Sequence, residues 1–153
     1  MRNRILIIPM VFLIALCVLL VSCGENETAE EKLINAAFAA AECYEQLDND
    51  KPDVKAMLGC LERASYAASD ILSEYGFVND DIIRRFFEEK EENLDFVRVY
   101  HDGGLMYTRI YEDETGWKCG NVRLKRNGGK TELSYYECFS ITKLELSEKG
   151  WLI

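Results

Sequence analysis

The side chains best suited to chemistry in this 153-residue chain are six cysteines and a single histidine. His101 precedes Asp102, so its imidazole has a carboxylate nearby that could orient it as a general base. The chain has no second histidine to complete a dyad, no C-x-x-C motif, and no cysteine spacing typical of zinc sites. We therefore predict no catalytic centre and no metal site, and expect a non-enzymatic protein.

The N-terminal 22 residues have the composition of an export signal. Their only charges are Arg2 and Arg4, and every residue from 5 to 21 is apolar except Pro9. The run ends in Leu20-Val21-Ser22-Cys23, which resembles the lipobox of bacterial lipoproteins. The alternative is an uncleaved membrane helix, although 17 residues span only about 26 Å, at the short limit for a bilayer.

The lipobox resemblance implies that residues 1–22 are a signal peptide cleaved before Cys23. It also implies a diacylglyceryl group on Cys23 and acylation, for example with palmitate, of the new amino group. This lipid is covalent, and we expect no other cofactor. Gly24 in place of Asp favours the outer membrane of a Gram-negative host, with the protein facing the periplasm or the cell surface. Residues 23–28 then form a short tether, and residues 29–153 form a single domain held close to its membrane.

The acidic residues are concentrated in one half of the mature chain. Without residues 1–22 the chain has 16 basic and 27 acidic residues, a net charge of -11. Residues 24–93 carry all of this excess, whereas residues 94–153 are neutral overall. Binding to a nucleic acid backbone requires a basic surface, so the composition excludes a nucleic acid partner.

Apolar spacing in the acidic half predicts three helices. Thr28 and Glu31 have the spacing of a capping box, and apolar residues then recur at helical intervals up to Leu47. A second helix is predicted from Pro52 to a stop at Gly76. Asn79 is predicted to cap a third, shorter helix that ends in the acidic stretch 88–92.

The second half alternates between apolar and polar residues, as β-hairpins do. Predicted strands 94–101 and 105–111 flank Asp102-Gly103-Gly104, and strands 117–126 and 131–142 flank residues 127–130, with a last strand starting at Leu144. The predicted fold is α+β: an N-terminal helical hairpin plus a third helix, packed on an antiparallel sheet of about four or five strands. This order also resembles that of NTF2-like domains, which implies an apolar pocket between the helices and the sheet.

Four cysteines remain after removal of the signal peptide and lipidation of Cys23. An even number in an exported domain predicts two disulfides, although four cysteines allow three pairings. A turn centred between Gly128 and Gly129 places Leu124 opposite Leu133 and Cys119 opposite Cys138. If the first two helices form an antiparallel pair that turns near residues 48–51, Cys43 and Cys60 lie at nearly the same distance from the turn, to within one helical turn. The favoured bridges are therefore Cys119–Cys138 and Cys43–Cys60.

Two surfaces are candidates for partner binding. The first hairpin is predicted to turn Val97, Val99, Met106 and Ile110 toward the helices, which leaves an aromatic and arginine-rich face formed by Phe96, Arg98, Tyr100, Tyr107, Arg109 and Tyr111. The second hairpin has a basic cluster formed by Arg123, Lys125, Arg126 and Lys130. The alternatives are that the aromatic side chains complete the core and that the basic cluster is a solvated hairpin end.

These observations predict a membrane-anchored envelope lipoprotein that acts as a protein-binding, inhibitory or scaffold module. The alternative is an NTF2-like lipoprotein that binds a small ligand in an apolar pocket. We also expect the acidic helices to face away from an anionic membrane, so that the sheet side faces the membrane or a partner.

Overall fold

The computed structural model describes residues 27–45, 47, 53–72 and 74–144. The predicted signal peptide, the lipobox with Cys23, most of the tether and the strand expected after Leu144 lie outside these residues. Within the described part of the chain, no helix has the length and apolar character needed to span a membrane.

The described residues form an α+β domain, which confirms the predicted fold class. The helices are α1 (Ala29–Glu42), α2 (Val54–Arg63) and α3 (Asp80–Glu89), and the strands are β1 (Ala67–Asp70), β2 (Phe77–Val78), β3 (Asn93–Val99), β4 (Leu105–Asp113), β5 (Gly116–Asn127) and β6 (Lys130–Ser140). They form one six-stranded sheet of order β2-β1-β3-β4-β5-β6, slightly larger than expected. All neighbouring strands are antiparallel except β1 and β3, which are parallel.

The second helix is shorter than predicted. It ends at Arg63, and Ser65 follows in the left-handed region with φ 63°. The chain then enters β1, whose four residues are all buried. Ala67 belongs to the core on one face of the sheet and Ala68 to the core on the other. Because a short, fully buried strand shows no alternation between apolar and polar residues, its sequence looks like a continuation of the helix.

Helices α1 and α2 cover one face of the sheet, which we call the helix-pair face. Helix α1 begins with the predicted capping box: Glu31 N–H donates to the Thr28 hydroxyl (3.1 Å) and Thr28 N–H to the Glu31 carboxylate (2.8 Å). Its alanine face, Ala37, Ala40 and Ala41, is completely buried. The interface is filled by aliphatic and aromatic side chains, including Met57, Leu61, Val97, Leu105, Tyr107 and Val122. Core side chains therefore fill the space between this helix pair and the sheet.

Helix α3 covers part of the opposite face, which we call the α3 face. Ile83 and Phe86 pack there against Leu94, Ile110 and Cys119. Asn79 lies at the N-cap position of α3, but its side chain makes no capping bond to that helix. It instead donates to the carbonyl oxygens of Glu62 (3.0 Å) and Tyr66 (2.9 Å). Asn79 therefore joins the end of α2 to the start of α3.

The register of the second hairpin is correct near its turn and wrong farther along. Leu124 pairs with Leu133 and Lys125 with Glu132, as predicted. A bulge next to Leu124 then moves Tyr135 opposite Arg123, so Cys119 pairs with Phe139 and Cys138 with Gly120. Since successive residues of a strand point to opposite faces, Cys119 and Cys138 lie on different faces of the sheet. The predicted Cys119–Cys138 juxtaposition is therefore wrong.

The first hairpin differs from its prediction by one residue. Val97 pairs with Tyr107 and Val99 with Leu105, so these four residues lie together on the helix-pair face. Met106 and Ile110, which were predicted to share a face with the valines, lie on the α3 face. A shift of one residue reverses the face of every side chain on one strand. The predicted aromatic and arginine-rich face is consequently divided between both sides of the sheet.

Candidate ligand-binding pocket

A pocket of about 730 Å³ opens at the end of the sheet where α3 meets β3, β4 and β5. Its apolar floor is built around Phe86, which α3 buries against the sheet. The Phe86 ring meets Phe87 and Trp117 nearly edge-on, with centroid distances of 5.1 and 5.8 Å and interplanar angles of 88° and 74°. Edge-to-face packing directs the positive edge of one ring at the negative face of another. These contacts hold the three rings in place, and Leu144 completes the floor.

The rim of the pocket is acidic. It contains four carboxylates, one lysine and one amide, contributed by Glu91, Glu92, Glu112, Asp113, Lys90 and Asn93. Glu91 is 3.8 Å from the Arg85 guanidinium, and Asp113 is 4.0 Å from the Lys118 amine. The ion pairs found among the described residues include neither Glu92 nor Glu112, and both are exposed.

Asp113 also has a structural role in the turn between β4 and β5. Its carboxylate accepts hydrogen bonds from the Thr115 backbone N–H and hydroxyl, both 2.7 Å. These bonds, with a smaller contribution from Lys118, lower the pKa of Asp113. Glu92 and Glu112 are therefore the rim carboxylates most available to a ligand.

Aromatic rings below carboxylates suit a positively charged group. A cation gains from the negative face of an aromatic ring and from opposite charge at the rim. The volume falls within the range of small-molecule sites. The arrangement can thus bind an organic cation or the side chain of a lysine or arginine.

The predicted partner surface contributes nothing to the lining of this pocket. On the helix-pair face, Arg109 forms a two-point ion pair with Asp95 at 2.6 and 2.8 Å and donates to the Tyr107 hydroxyl at 3.0 Å. Tyr107 is buried, and burial is the main cause of its raised pKa. Tyr111 is half-buried on the same face, 3.6 Å from the Cys138 thiol. Tyr107 is thus part of the core, which was the alternative considered for the aromatic side chains.

The remaining residues of the predicted surface lie on the α3 face and in the turn between β3 and β4. The Arg98 guanidinium lies 5.8 Å from the Phe96 ring centroid, and Phe96 itself is buried. Arg123 stacks on Tyr100 at 3.3 Å and pairs with Asp102 at 3.2 Å. The contacts with Tyr100 and Asp102 thus fix the position of the Arg123 guanidinium.

The basic cluster of the second hairpin is also divided. Arg123 and Lys125 belong to the α3 face, whereas Arg126 lies on the helix-pair face and donates to the carbonyl oxygens of Glu45 (3.5 Å) and Leu47 (3.3 Å). Arg126 thereby ties β5 to the chain that leaves α1. Lys125 and Lys130 are the exposed members of the cluster.

The four cysteines of the domain carry free thiols in this structure. Burial raises the pKa of Cys43, and the neighbouring Cys60 raises it further. The proximity of Cys43 and Cys60 is compatible with the predicted bridge, which stays a prediction. Burial, with a smaller effect of Cys138, raises the pKa of Cys119 to about 11. Cys138 is exposed.

A comparison with models of protein families gives one match, which covers most of the chain. A family model described as a family of unknown function matches residues 25–153. The chain belongs to the DUF6070 family. No curated protein and no solved structure matches this DUF6070 chain.

The pocket of this DUF6070 protein could not be predicted from sequence patterns because its lining residues come from distant segments of the chain. Phe86 and Phe87 were assigned to the apolar side of a helix, and Glu91 and Glu92 to its acidic end. Two adjacent aromatic residues followed closely by a pair of carboxylates were the available signal. The sheet register was needed to bring Trp117 to the same place.

Proposed function

We propose that this protein is a lipid-anchored binding module of the bacterial envelope, and that its pocket holds a lysine or arginine side chain of a partner protein. The observation that carries the proposal is that the rings of Phe86, Phe87 and Trp117 line the same pocket as the exposed carboxylates of Glu92 and Glu112. A cationic side chain can place its charge at the rim while its aliphatic stem contacts the rings.

The charge distribution of the mature chain supports the same type of partner. Residues 24–93 contain 18 acidic and 7 basic residues, and α3 with the segment that follows it belongs to this stretch. An acidic surface attracts a basic partner over several ångströms and orients it before contact. A partner with a basic segment would therefore be directed toward the pocket.

The lipid anchor is the second part of the proposal. It rests on the lipobox resemblance ending at Cys23, and the family match beginning at residue 25 is compatible with it. A tether this short keeps the domain at the membrane, so the expected partners are other proteins of the envelope.

A small organic cation is the second candidate ligand. It is favoured by the pocket volume of about 730 Å³, which is larger than one lysine or arginine side chain requires. This candidate corresponds to the small ligand that the NTF2-like resemblance implies, with a cationic group added.

Trp117 fluorescence provides a direct test. The chain has two tryptophans, so the assay uses a full-length Trp151→Phe variant, in which Trp117 is the only indole. We expect saturable changes on titration with a lysine- and arginine-rich peptide, and weaker ones with a glutamate-rich peptide of equal length. Saturation by spermidine or choline at lower concentration than by the peptide would favour the small-cation candidate.

Charge-neutral variants localise the binding. The double variant Glu92→Gln/Glu112→Gln should weaken peptide binding about 5- to 30-fold, equivalent to about 1–2 kcal/mol for two ionic contacts. The matched control is Glu88→Gln/Glu89→Gln, which changes two exposed carboxylates of α3 outside the pocket. Equal effects of the two double variants would reject the pocket as the binding site.

A further inference from the structure

A second group of side chains, two carboxylates and an imidazole, lies at the opposite end of the sheet from the pocket. Asp70 is the last residue of β1, Glu74 lies in the loop that follows, and His101 lies in the turn after β3. Carboxylate oxygens of Asp70 and Glu74 and a ring nitrogen of His101 all lie within 4.8 Å of one another. These three residues are called the 70/74/101 cluster below.

The sheet topology brings these residues together. Strands β1 and β3 are parallel, with Asp70 opposite Val99. The Ile71 N–H donates to the Val99 carbonyl at 3.0 Å, so the pairing continues to the ends of both strands. The chain therefore leaves both strands at the same edge. In sheets with parallel strands, the carboxyl ends of the strands are where ligands are commonly bound.

Asp70 is the buried member of the 70/74/101 cluster, and hydrogen bonds hold its carboxylate in place. Only 1% of its surface is exposed, although it carries a carboxylate. Its oxygens accept two backbone hydrogen bonds, from Glu74 N–H at 3.1 Å and from Tyr75 N–H at 3.5 Å. A carboxylate has about four lone-pair positions, so acceptor capacity remains. None of the ion pairs among the described residues involves Asp70. A buried carboxylate without a cationic partner loses hydration, and a bound cation would offset that loss.

We propose that Asp70, Glu74 and His101 bind a divalent transition-metal ion, with Zn²⁺ as the best match to their donor atoms. Imidazole nitrogen together with carboxylate oxygen is typical of Zn²⁺ sites, whereas Ca²⁺ and Mg²⁺ prefer oxygen ligands alone. Donor atoms around a tetrahedral Zn²⁺ lie about 3.4 Å apart. Glu74 and His101 are exposed, so rotations of their side chains can close the remaining distance to Asp70. Three protein ligands leave the fourth position to water or to a group of a partner.

The metal ion would also join two loops. One is the segment after β1, in which Leu72 is 61% exposed and Tyr75 is 48% exposed. The other is the turn between β3 and β4, closed by hydrogen bonds between Tyr100 and Gly104 (2.9 Å) and between Gly103 and Tyr100 (3.0 Å). Holding the first loop against this turn would fix the position of its exposed apolar side chains.

His101 makes the proposal directly testable, because it is the single histidine of the chain. Its imidazole signals in a long-range ¹H–¹⁵N NMR spectrum report on the site without competing resonances. Zn²⁺ is titrated into the detergent-solubilised full-length protein after its thiols have been alkylated, which removes binding by cysteine. We expect the His101 signals to shift with saturation at one equivalent of Zn²⁺, and hydrogen exchange in residues 71–76 to become slower.

Substitutions then identify the ligands. His101→Ala and Glu74→Gln should each lower the Zn²⁺ affinity about tenfold or more. Both side chains are exposed, so these variants should fold even if Asp70→Asn does not. The control is Glu114→Gln, an exposed carboxylate at the other end of the sheet, which should leave the affinity unchanged. Unshifted His101 signals at saturating Zn²⁺ would overturn the proposal. It would also be overturned if His101→Ala and Glu74→Gln bound Zn²⁺ as tightly as Glu114→Gln and the protein without substitutions.

Discussion

The side chain of Leu33 occupies the space that a Cβ atom on Gly120 would require. Leu33 is buried at the start of α1, and Gly120 lies in β5 on the helix-pair face. A glycine at this position therefore lets the helix approach the strand closely. The contact determines how near the acidic helical layer lies to the sheet.

Alanine at two glycine positions should have opposite effects on stability. Gly120→Ala should lower the free energy of unfolding by about 1–3 kcal/mol because it overpacks the core against Leu33. Gly59→Ala should raise it by about 0.5–1 kcal/mol, because Gly59 lies within α2 and the nearest atom to a new Cβ is the Arg63 guanidinium at 3.6 Å. Urea unfolding measures both values. Changes of the same sign would contradict this interpretation of the packing.

The cysteines should differ in reactivity and in pairing. In the reduced native protein, Cys138 should be alkylated first because it is exposed, and Cys119 last because burial raises its pKa to about 11. Peptide mapping with mass spectrometry gives the order. In the exported, oxidised protein we expect a Cys43–Cys60 bridge. Finding a Cys119–Cys138 bridge instead would show that the register between β5 and β6 is different in that state.

Stability should decline at alkaline pH. The pKa of Cys119 is raised to about 11, and burial raises the pKa of Tyr44 and Tyr107. A raised pKa in the folded state means that the unfolded chain loses its proton first. The stabilisation by Cys119 is thus complete only below about pH 8 and is lost progressively above that, whereas the stabilisation by the two tyrosines is lost progressively above about pH 10. Urea unfolding between pH 7 and 11 tests this, and Cys119→Ala should reduce the decline. A decline starting near pH 7 would implicate other groups.

Replacing Cys23 by serine tests the lipid anchor. The lipobox resemblance predicts that Cys23→Ser prevents lipid attachment, so the precursor keeps residues 1–22 and incorporates no labelled palmitate. Cys17→Ser, which changes the other cysteine of the signal segment, should be processed normally. Gel mobility and acyl labelling give the result. Unchanged size and labelling in Cys23→Ser would exclude lipidation at this residue.

Local sequence patterns predicted those elements that depend on short-range physics. The capping box of Thr28 and Glu31 needs only a spacing of three residues, and the turn at Gly128 and Gly129 needs only their freedom to adopt positive φ. The pairing of Leu124 with Leu133 follows directly from that turn. Each of these predictions was correct because the interacting residues are close in the chain.

Sequence patterns alone gave wrong predictions where a shift of one residue changed the strand pairing. The bulge beside Leu124 separated Cys119 from Cys138, and a shift of one residue in the first hairpin moved Tyr107 and Arg109 to the helix-pair face. The buried strand β1 had the composition of a helix, because its environment on both faces is set by distant segments. Small register changes leave a sequence pattern nearly intact but reverse which side chains meet.

By itself, the sequence determined the α+β class, the acidic character of the helical half and the lipobox resemblance at Cys23, because each depends on composition or on neighbouring residues. Only the tertiary structure decided that Trp117 meets Phe86 in a pocket that carboxylates also line, and that His101 lies beside Asp70. Both arrangements join residues about 30 positions apart along the chain. Burial of apolar side chains throughout the core fixes both the β1–β3 pairing and the position of α3. These two features bring the distant residues together.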